Sequence, residues 1–236
     1  MRKAVLFFVF TILITGVAFT QFQLEPSFGY FFNTDTYEKD LKRSFNGLNT
    51  NITMRYLFTE NIGIFVCGDF KFWDSANNDD YAKFIASSGM KATIKDDSSG
   101  YTLNLNLGLA LAYPVNEKLG FQADIGLSNT VLASDYVIGT LEWSDYYYSY
   151  KANVGYFIDG ISSLGFYSSI FGRVFILSDS SVDLYLSFGA RIDYKFTRIE
   201  KGEIVIAGVE QKFNESVNDY SGFSIAPFVG ILGSFK

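Results

Sequence analysis

The sequence predicts an all-β protein: a transmembrane, antiparallel, up-and-down β-barrel of about ten strands, with eight strands as the alternative. Three observations support this fold class. Apolar residues recur at every second position in run after run, the best run is long enough to cross a bilayer, and the connections between runs alternate between short and long. The aromatic fraction of 18% fits, because aromatic side chains suit both strands and membrane interfaces.

The segment 101–113, YTLNLNLGLALAY, shows the alternation most clearly. Leucines fill the odd positions from Leu103 to Leu111, and small or polar residues fill the even ones. Successive side chains of a strand point to opposite faces, so one face of this strand is apolar. Twelve steps of roughly 3.3 Å, tilted by about 40°, cover on the order of 30 Å, the thickness of a bilayer's hydrocarbon core. We therefore expect Tyr101 and Tyr113 at the two membrane interfaces.

The connections between the runs differ in length in a regular way. Short turns are predicted at Thr59–Asn61, Pro114–Lys118 and Asp159–Ser163, whereas the segments 33–49, 74–100 and 128–146 are long and polar. Barrels of bacterial outer membranes have short periplasmic turns and longer extracellular loops. In its architecture the chain after residue 20 resembles the small outer-membrane β-barrels of the OmpA, OmpX and OmpW kind.

This resemblance implies a location in the bacterial outer membrane, with outer-membrane lipid and the barrel assembly machinery as partners. It also implies that the aromatic residue near the C-terminus, Phe235, is the signal that the assembly machinery reads. Lys236 follows it, which departs from the usual terminal aromatic residue.

The expected strand count depends on one weak run. A barrel with both termini in the periplasm needs an even number of strands. We therefore count Glu203–Phe213 as a strand, place the link Ser178–Ser181 outside and turn the chain at the periplasm over Thr197–Gly202. The alternative of eight strands leaves 197–219 as a long external loop and reassigns one earlier run. The nine clear runs are 22–30, 51–58, 62–72, 101–113, 119–127, 148–156, 164–176, 182–196 and 223–235.

The N-terminus predicts secretion. Residues 1–20 combine two basic residues, an apolar run and small residues suited to signal peptidase, so we assign 1–20 to a cleaved signal peptide and 21–236 to the barrel. Losing Arg2 and Lys3 takes the net charge from −6 to −8. A mature protein this acidic is a poor candidate for binding nucleic acid.

The second face of the runs is polar and is expected to line the lumen, because the apolar face of a membrane barrel meets lipid. Opposite charges in an enclosed space can pair. Two interpretations of this lumen stay open: a narrow pathway for ions or small solutes, and a salt-bridged plug. The predicted lumen charges are Glu25, Arg55, Asp69, Lys71, Asp124, Lys151, Arg173, Asp183, Arg191, Asp193 and Lys195.

Two functions follow, and neither is enzymatic. The chain has no His to act as general base, and its single Cys67 and scattered acids predict neither a cofactor nor a metal site. The first function is an outer-membrane barrel that stabilises the envelope or passes ions or small solutes. The second is a surface protein whose long loops bind extracellular ligands.

Overall fold

The computed structural model describes residues 21–36, 42–77, 91–94, 99–144, 149–159, 161–199, 202–206, 209–213 and 219–235. The predicted signal peptide, 1–20, lies outside these residues and stays a prediction. No helix among the described residues is long and apolar enough to span a membrane. The described strands are β1 (Gln21–Thr36), β2 (Lys42–Leu57), β3 (Ile62–Asn77), β4 (Lys91–Ile94), β5 (Ser99–Pro114), β6 (Leu119–Ser144), β7 (Ser149–Asp159), β8 (Ile161–Ser178), β9 (Val182–Ile199), β10 (Gly202–Ile206), β11 (Val209–Phe213) and β12 (Asp219–Phe235).

Eight of these strands close an antiparallel up-and-down barrel. Each pairs with its neighbour in order, and the first strand pairs with the last, with Phe22 opposite Phe235. The fold class is confirmed, and so is the alternative count of eight strands; the preferred count of ten is wrong. The barrel strands are β1, β2, β3, β5, β6, β8, β9 and β12.

The miscount has a structural cause in the long strand β6. Its N-terminal part pairs with β8, where Asn129 lies opposite Leu164. Its C-terminal part pairs with β7, where Ser134 lies opposite Asp159. The register is the same on both sides of the break, so the runs 148–156 and 164–176 form one path along β6. The turn predicted at Asp159–Ser163 is therefore wrong.

The run 203–213 has the same explanation. Strand β10 continues the path of β9 along β7, and β10 and β11 form a hairpin beyond the barrel. The segments 33–49 and 128–146, predicted as loops, lie largely in β1, β2 and β6. Strands that extend beyond the membrane either continue the alternation or lose it while they remain in the sheet. The alternation therefore does not show where a strand ends, and the sequence prediction misplaced the ends of these strands.

The two ends of the barrel differ. The tight turns between β2 and β3, between β5 and β6 and between β8 and β9 lie at the end that holds both described chain termini. The link Ser178–Ser181, predicted outside, is one of these turns, because Phe175 donates its N–H to the Lys118 carbonyl in the neighbouring turn. At the opposite end, β4, β7, β10 and β11 extend the sheet of β6 beyond the barrel.

The outer wall of the barrel is apolar. Alternate residues of every barrel strand point outward, and large aliphatic side chains such as Leu107 and Leu109 are about half exposed. Aromatic residues concentrate toward both rims, with Tyr113 and Phe22 at the short-turn end and Tyr101 and Phe32 at the other. A soluble protein does not expose so continuous an apolar belt, whereas a membrane barrel requires one.

Candidate functional site in the barrel lumen

The structure places most of the predicted lumen charges inside the barrel. Arg173, Asp183 and Lys195 are partly buried, and the side chain of Lys151 lies outside the described residues. The buried members are Glu25, Arg55, Asp69, Lys71, Asp124, Arg191 and Asp193.

Arg55 is the centre of the charged layer nearer the short-turn end of the barrel, which we call the lower layer. Its Nη2 lies 2.6 Å from Asp124 Oδ2 and 2.7 Å from Glu25 Oε2, and its Nε donates to Asp124 Oδ1 at 2.9 Å. Hydroxyls of Ser169 and Ser187 donate to the two carboxylates. The Arg55 guanidinium also lies 4.7 Å from the centre of the Phe171 ring. These contacts cross the lumen between β2, β6 and β1.

Lys71 is the centre of a second charged layer, nearer the opposite end of the barrel, which we call the upper layer. Its Nζ lies 2.7 Å from Asp193 Oδ2, 3.8 Å from Asp69 Oδ2 and 2.9 Å from Ser224 Oγ. Asp69 in turn accepts from Asn104 Nδ2 at 3.0 Å. Both acids and the lysine are buried, and the ion pairs between them are the condition for burying charge at tolerable cost. Asp193 Oδ1 has no hydrogen-bond partner.

Arg191 lies between these two layers and is held differently. Its Nε donates to Tyr167 Oη at 3.2 Å, its Nη2 donates to Ser27 Oγ, and its guanidinium lies 3.6 Å from the centre of the Phe228 ring. Within the described part of the chain, no carboxylate oxygen lies within 4 Å of this guanidinium. An aromatic face and neutral oxygens stabilise this cation instead.

Sequence reasoning missed an ion pair at the upper end. Arg43 forms a two-pronged bridge with Asp135, one arm of which joins Nη2 to Oδ1 at 2.8 Å. Arg43 keeps the odd-numbered parity of Arg55 on β2, so extending that run would have found it. Asp135 would not have been found, because a β-bulge at Val131 inverts the parity of β6. Asp124, before the bulge, and Asp135, after it, both point inward.

Aromatic side chains fill the remaining interior. Tyr167 and Phe171 are about 1% exposed, and Phe65 packs against Tyr167 with ring centres 5.5 Å apart. At the lower end, Arg173 lies 5.0 Å from the centre of the Tyr185 ring. Together with the charged layers these rings block the middle of the lumen.

A cavity of about 60 Å³ remains above the Lys71 layer, and we call it the vestibule. Its lining includes Asp35, Trp73, Asp193, Lys195 and Tyr220. Among the described residues no group of three or more His, Cys, Asp or Glu side chains is arranged to hold a metal ion.

Phe235, the proposed assembly signal, lies at the outer face of the short-turn end. Its ring packs against Phe22 with centres 5.6 Å apart, which joins the last strand to the first.

The comparisons with known proteins find likeness in structure only. No protein-family model matches the chain, and a search of curated proteins finds no significant match. Among solved structures, surface protein A of Neisseria is 12% identical with a TM-score of 0.40, covering 89% of this chain and 95% of its own. Ail, the attachment invasion locus protein of Yersinia pestis, is 10% identical with a TM-score of 0.36, covering 89% and 97%. The outer membrane protease OmpT of Escherichia coli is 8% identical with a TM-score of 0.38, covering 92% and 96%.

Proposed function

We propose that this protein is a closed outer-membrane barrel that anchors an extracellular sheet, and that the sheet binds ligands outside the cell. The observation that carries the proposal is the filled lumen. Arg55 and Arg191 are buried in the middle of the barrel, beside Tyr167 and Phe171. A conducting pathway requires a continuous line of water, and eight strands leave an interior that side chains just fill.

The extended sheet supports the binding role. Strands β4, β7, β10 and β11 lie beyond the barrel rim at the end with the longer connections, which faces outward in barrels of this type. Backbone hydrogen bonds between these strands make this part of the molecule an ordered surface. Within the described strands, β11 pairs only with β10, so the sheet has an open edge there.

The remaining assignments are part of the same proposal. The partners are outer-membrane lipid along the apolar belt, the assembly machinery at Phe235 and ligands outside the cell. The signal peptide 1–20 carries the chain across the inner membrane. We assign the protein no catalytic role and no cofactor, because the chain has no His and the buried acids Asp124 and Asp193 are occupied by ion pairs.

Planar-bilayer recording on refolded protein tests the closed lumen. We expect no steady ion current, because charged pairs and rings cross the lumen. A steady current from the wild type would support the pore instead. The variant Arg191→Ala sharpens this test: the plug predicts that its conductance rises, whereas a pore predicts a shift in ion selectivity without a gain in current.

Cysteine labelling on intact cells tests which end faces outward. Val205→Cys in β10 should react with an impermeant maleimide, and Lys118→Cys in a short turn should not. The native Cys67 is buried and gives little background. Labelling at 118 alone would invert the orientation and contradict the proposal.

An envelope-structural role is the second candidate, favoured by the same cross-linked lumen. Replacing 203–213 by a short turn separates the two. A binding role predicts loss of ligand binding by cells while the envelope keeps its resistance to detergent. A structural role predicts that trimming the sheet has no effect on the envelope. It predicts instead that substitutions that destabilise the lumen make the envelope sensitive to detergent.

A further inference from the structure

Two opposite charges in the vestibule flank a glycine. Asp35 on β1, Gly222 on β12 and Lys195 on β9 occupy one row of the sheet, each paired with the next. Neighbouring strands are about 4.8 Å apart, so the backbones of Asp35 and Lys195 are roughly 10 Å apart. Gly222 places no side chain between the two charged groups. A Cβ at Gly222 would lie 2.6 Å from Asp35 Oδ1, so the glycine keeps this space open.

These two charges differ from the others in the upper lumen. The Asp35 carboxylate accepts from Asn33 Nδ2 at 2.7 Å, but no cation of the described residues lies within 4 Å of it. Lys195 Nζ likewise has no carboxylate within 4 Å among the described residues. By contrast, Lys71 and Arg43 are each engaged in an ion pair. Asp35 and Lys195 are therefore separated charges that face one cavity.

The same cavity has a second pair of open groups. Trp73 Nε1 and Asp193 Oδ1 are buried and have no hydrogen-bond partner, and both residues line the vestibule. Both residues are 3% exposed. A water needs about 10 to 15 Å³ of such space, so the cavity of about 60 Å³ holds more than one solvent molecule. Two acceptors and two donors thus converge on a space of small-ligand size.

We propose that the vestibule binds a small zwitterion of the amino-acid class. The ammonium group of the ligand would contact Asp35 and Asp193 Oδ1, and its carboxylate would contact Lys195 and Trp73 Nε1. A simple anion would leave Asp35 without a cation and Asp193 Oδ1 without a donor, and a simple cation would leave Lys195 and the indole unpaired. Buried unpaired polar groups are costly. A zwitterion satisfies all four groups. The Lys71 layer forms the floor, so the site binds its ligand without passing it through the barrel.

Trp73 makes this site measurable. The chain has two tryptophans, so Trp143→Phe leaves Trp73 as the single fluorophore. Glycine, the smallest zwitterion, is titrated into the refolded barrel, with methylammonium and acetate as single-charge controls. We expect a saturable change of Trp73 fluorescence with glycine, and at least about tenfold weaker binding of each control, because each leaves half of the site unsatisfied.

Matched variants identify the residues. Lys195→Met and Asp35→Asn should each weaken glycine binding by about tenfold or more. Gly222→Ala should abolish it by filling the gap, whereas Gly68→Ala should not change it, because a Cβ at Gly68 meets nothing within 4 Å. Folding of every variant is checked by comparing the gel mobility of heated and unheated samples.

Three results would overturn the proposal: no saturable glycine signal, equal binding of acetate or methylammonium, or full binding by Lys195→Met. The assay reads binding at equilibrium, so its failure leaves the closed-barrel function intact. A steady current in the bilayer recording would likewise leave the binding result to stand on its own.

Discussion

Single residues in this barrel have sharply different roles according to the face they occupy. Leu107 is about half exposed and points to lipid, whereas the neighbouring Asn106 is fully buried in the lumen. Both atoms of the Asn106 amide lack a hydrogen-bond partner. The outward residue therefore meets hydrocarbon, and the inward residue fills space without a bond that depends on its amide.

Leu107→Arg should destabilise the folded barrel by about 2 to 4 kcal/mol, the cost of a cation on the lipid face near the bilayer midplane. Asn106→Ser should cost less than about 1 kcal/mol, because it removes two unsatisfied polar atoms and no hydrogen bond. Urea titration of both variants folded in liposomes measures this difference. A larger cost at Asn106 than at Leu107 would mean that the two faces are assigned the wrong way round.

Arg55→Met should be among the most damaging lumen substitutions. It leaves Glu25 and Asp124 buried without their shared cation, and breaking a buried pair costs about 3 to 5 kcal/mol. The same urea titration measures the loss. Arg173→Met is the control, because Arg173 is only partly buried and has no carboxylate within 4 Å among the described residues.

The triple variant Glu25→Gln, Arg55→Met, Asp124→Asn isolates the cause. It removes all three charges, so it should recover most of the stability lost by Arg55→Met alone, since a neutral interior needs no buried cation. If the triple variant is no more stable than Arg55→Met, shape rather than charge is what the arginine supplies.

At the scale of the element, the bulge in β6 decides which side chains enter the upper lumen. Two consecutive residues, Val131 and Leu132, both point outward, and the strand continues with inverted parity. A one-residue shift exchanges the two faces of a strand. The ion pair between Arg43 and Asp135 depends on this extra residue.

Deleting Val131 should break that pair. Asp135 would move to the outer face and Arg43 would lose its partner, so we expect destabilisation of about 3 kcal/mol or more, the cost of breaking a buried pair. Adding Arg43→Met to the deletion should recover part of the loss, because no buried cation then remains unpaired. A deletion variant as stable as the wild type would show that the bulge does not set the register of β6.

At the scale of the whole molecule, the strand order is the main finding. Strand β6 pairs directly with β8, and the runs 148–156 and 164–176 lie end to end rather than side by side. Every barrel strand thus has two barrel neighbours, and the strands that continue past the rim form one sheet.

A cross-strand disulfide tests this order. Asn129→Cys and Leu164→Cys lie opposite each other in the eight-stranded barrel and should form a disulfide on mild oxidation of the folded protein. Ala123→Cys with Ala152→Cys should not, because Ala123 pairs with Ile170 and Ala152 with Leu141. The ten-stranded order would instead bring residues 123 and 152 opposite each other in the runs 119–127 and 148–156. Gel mobility before and after reduction reports the bond. Bonding of the second pair alone would restore the ten-stranded order.

The alternation of residues along each strand could be predicted from the sequence because it is a local property. Side chains of a strand alternate between faces whatever lies beside them, so the inward position of Glu25, Arg55 and Asp124 followed from their neighbours in the chain. The apolar belt and the aromatic rims followed in the same way, and with them the fold class.

The strand count and the charge partners required the tertiary structure. Arg55 and Asp124 are 69 residues apart in the chain, and nothing in either run specifies that β2 and β6 face each other across the lumen. The pairing of β6 with both β7 and β8, and the parity change at Val131, depend on hydrogen bonds between distant segments. The alternation determines what each strand presents to lipid and lumen, and the register between strands determines which charges meet there.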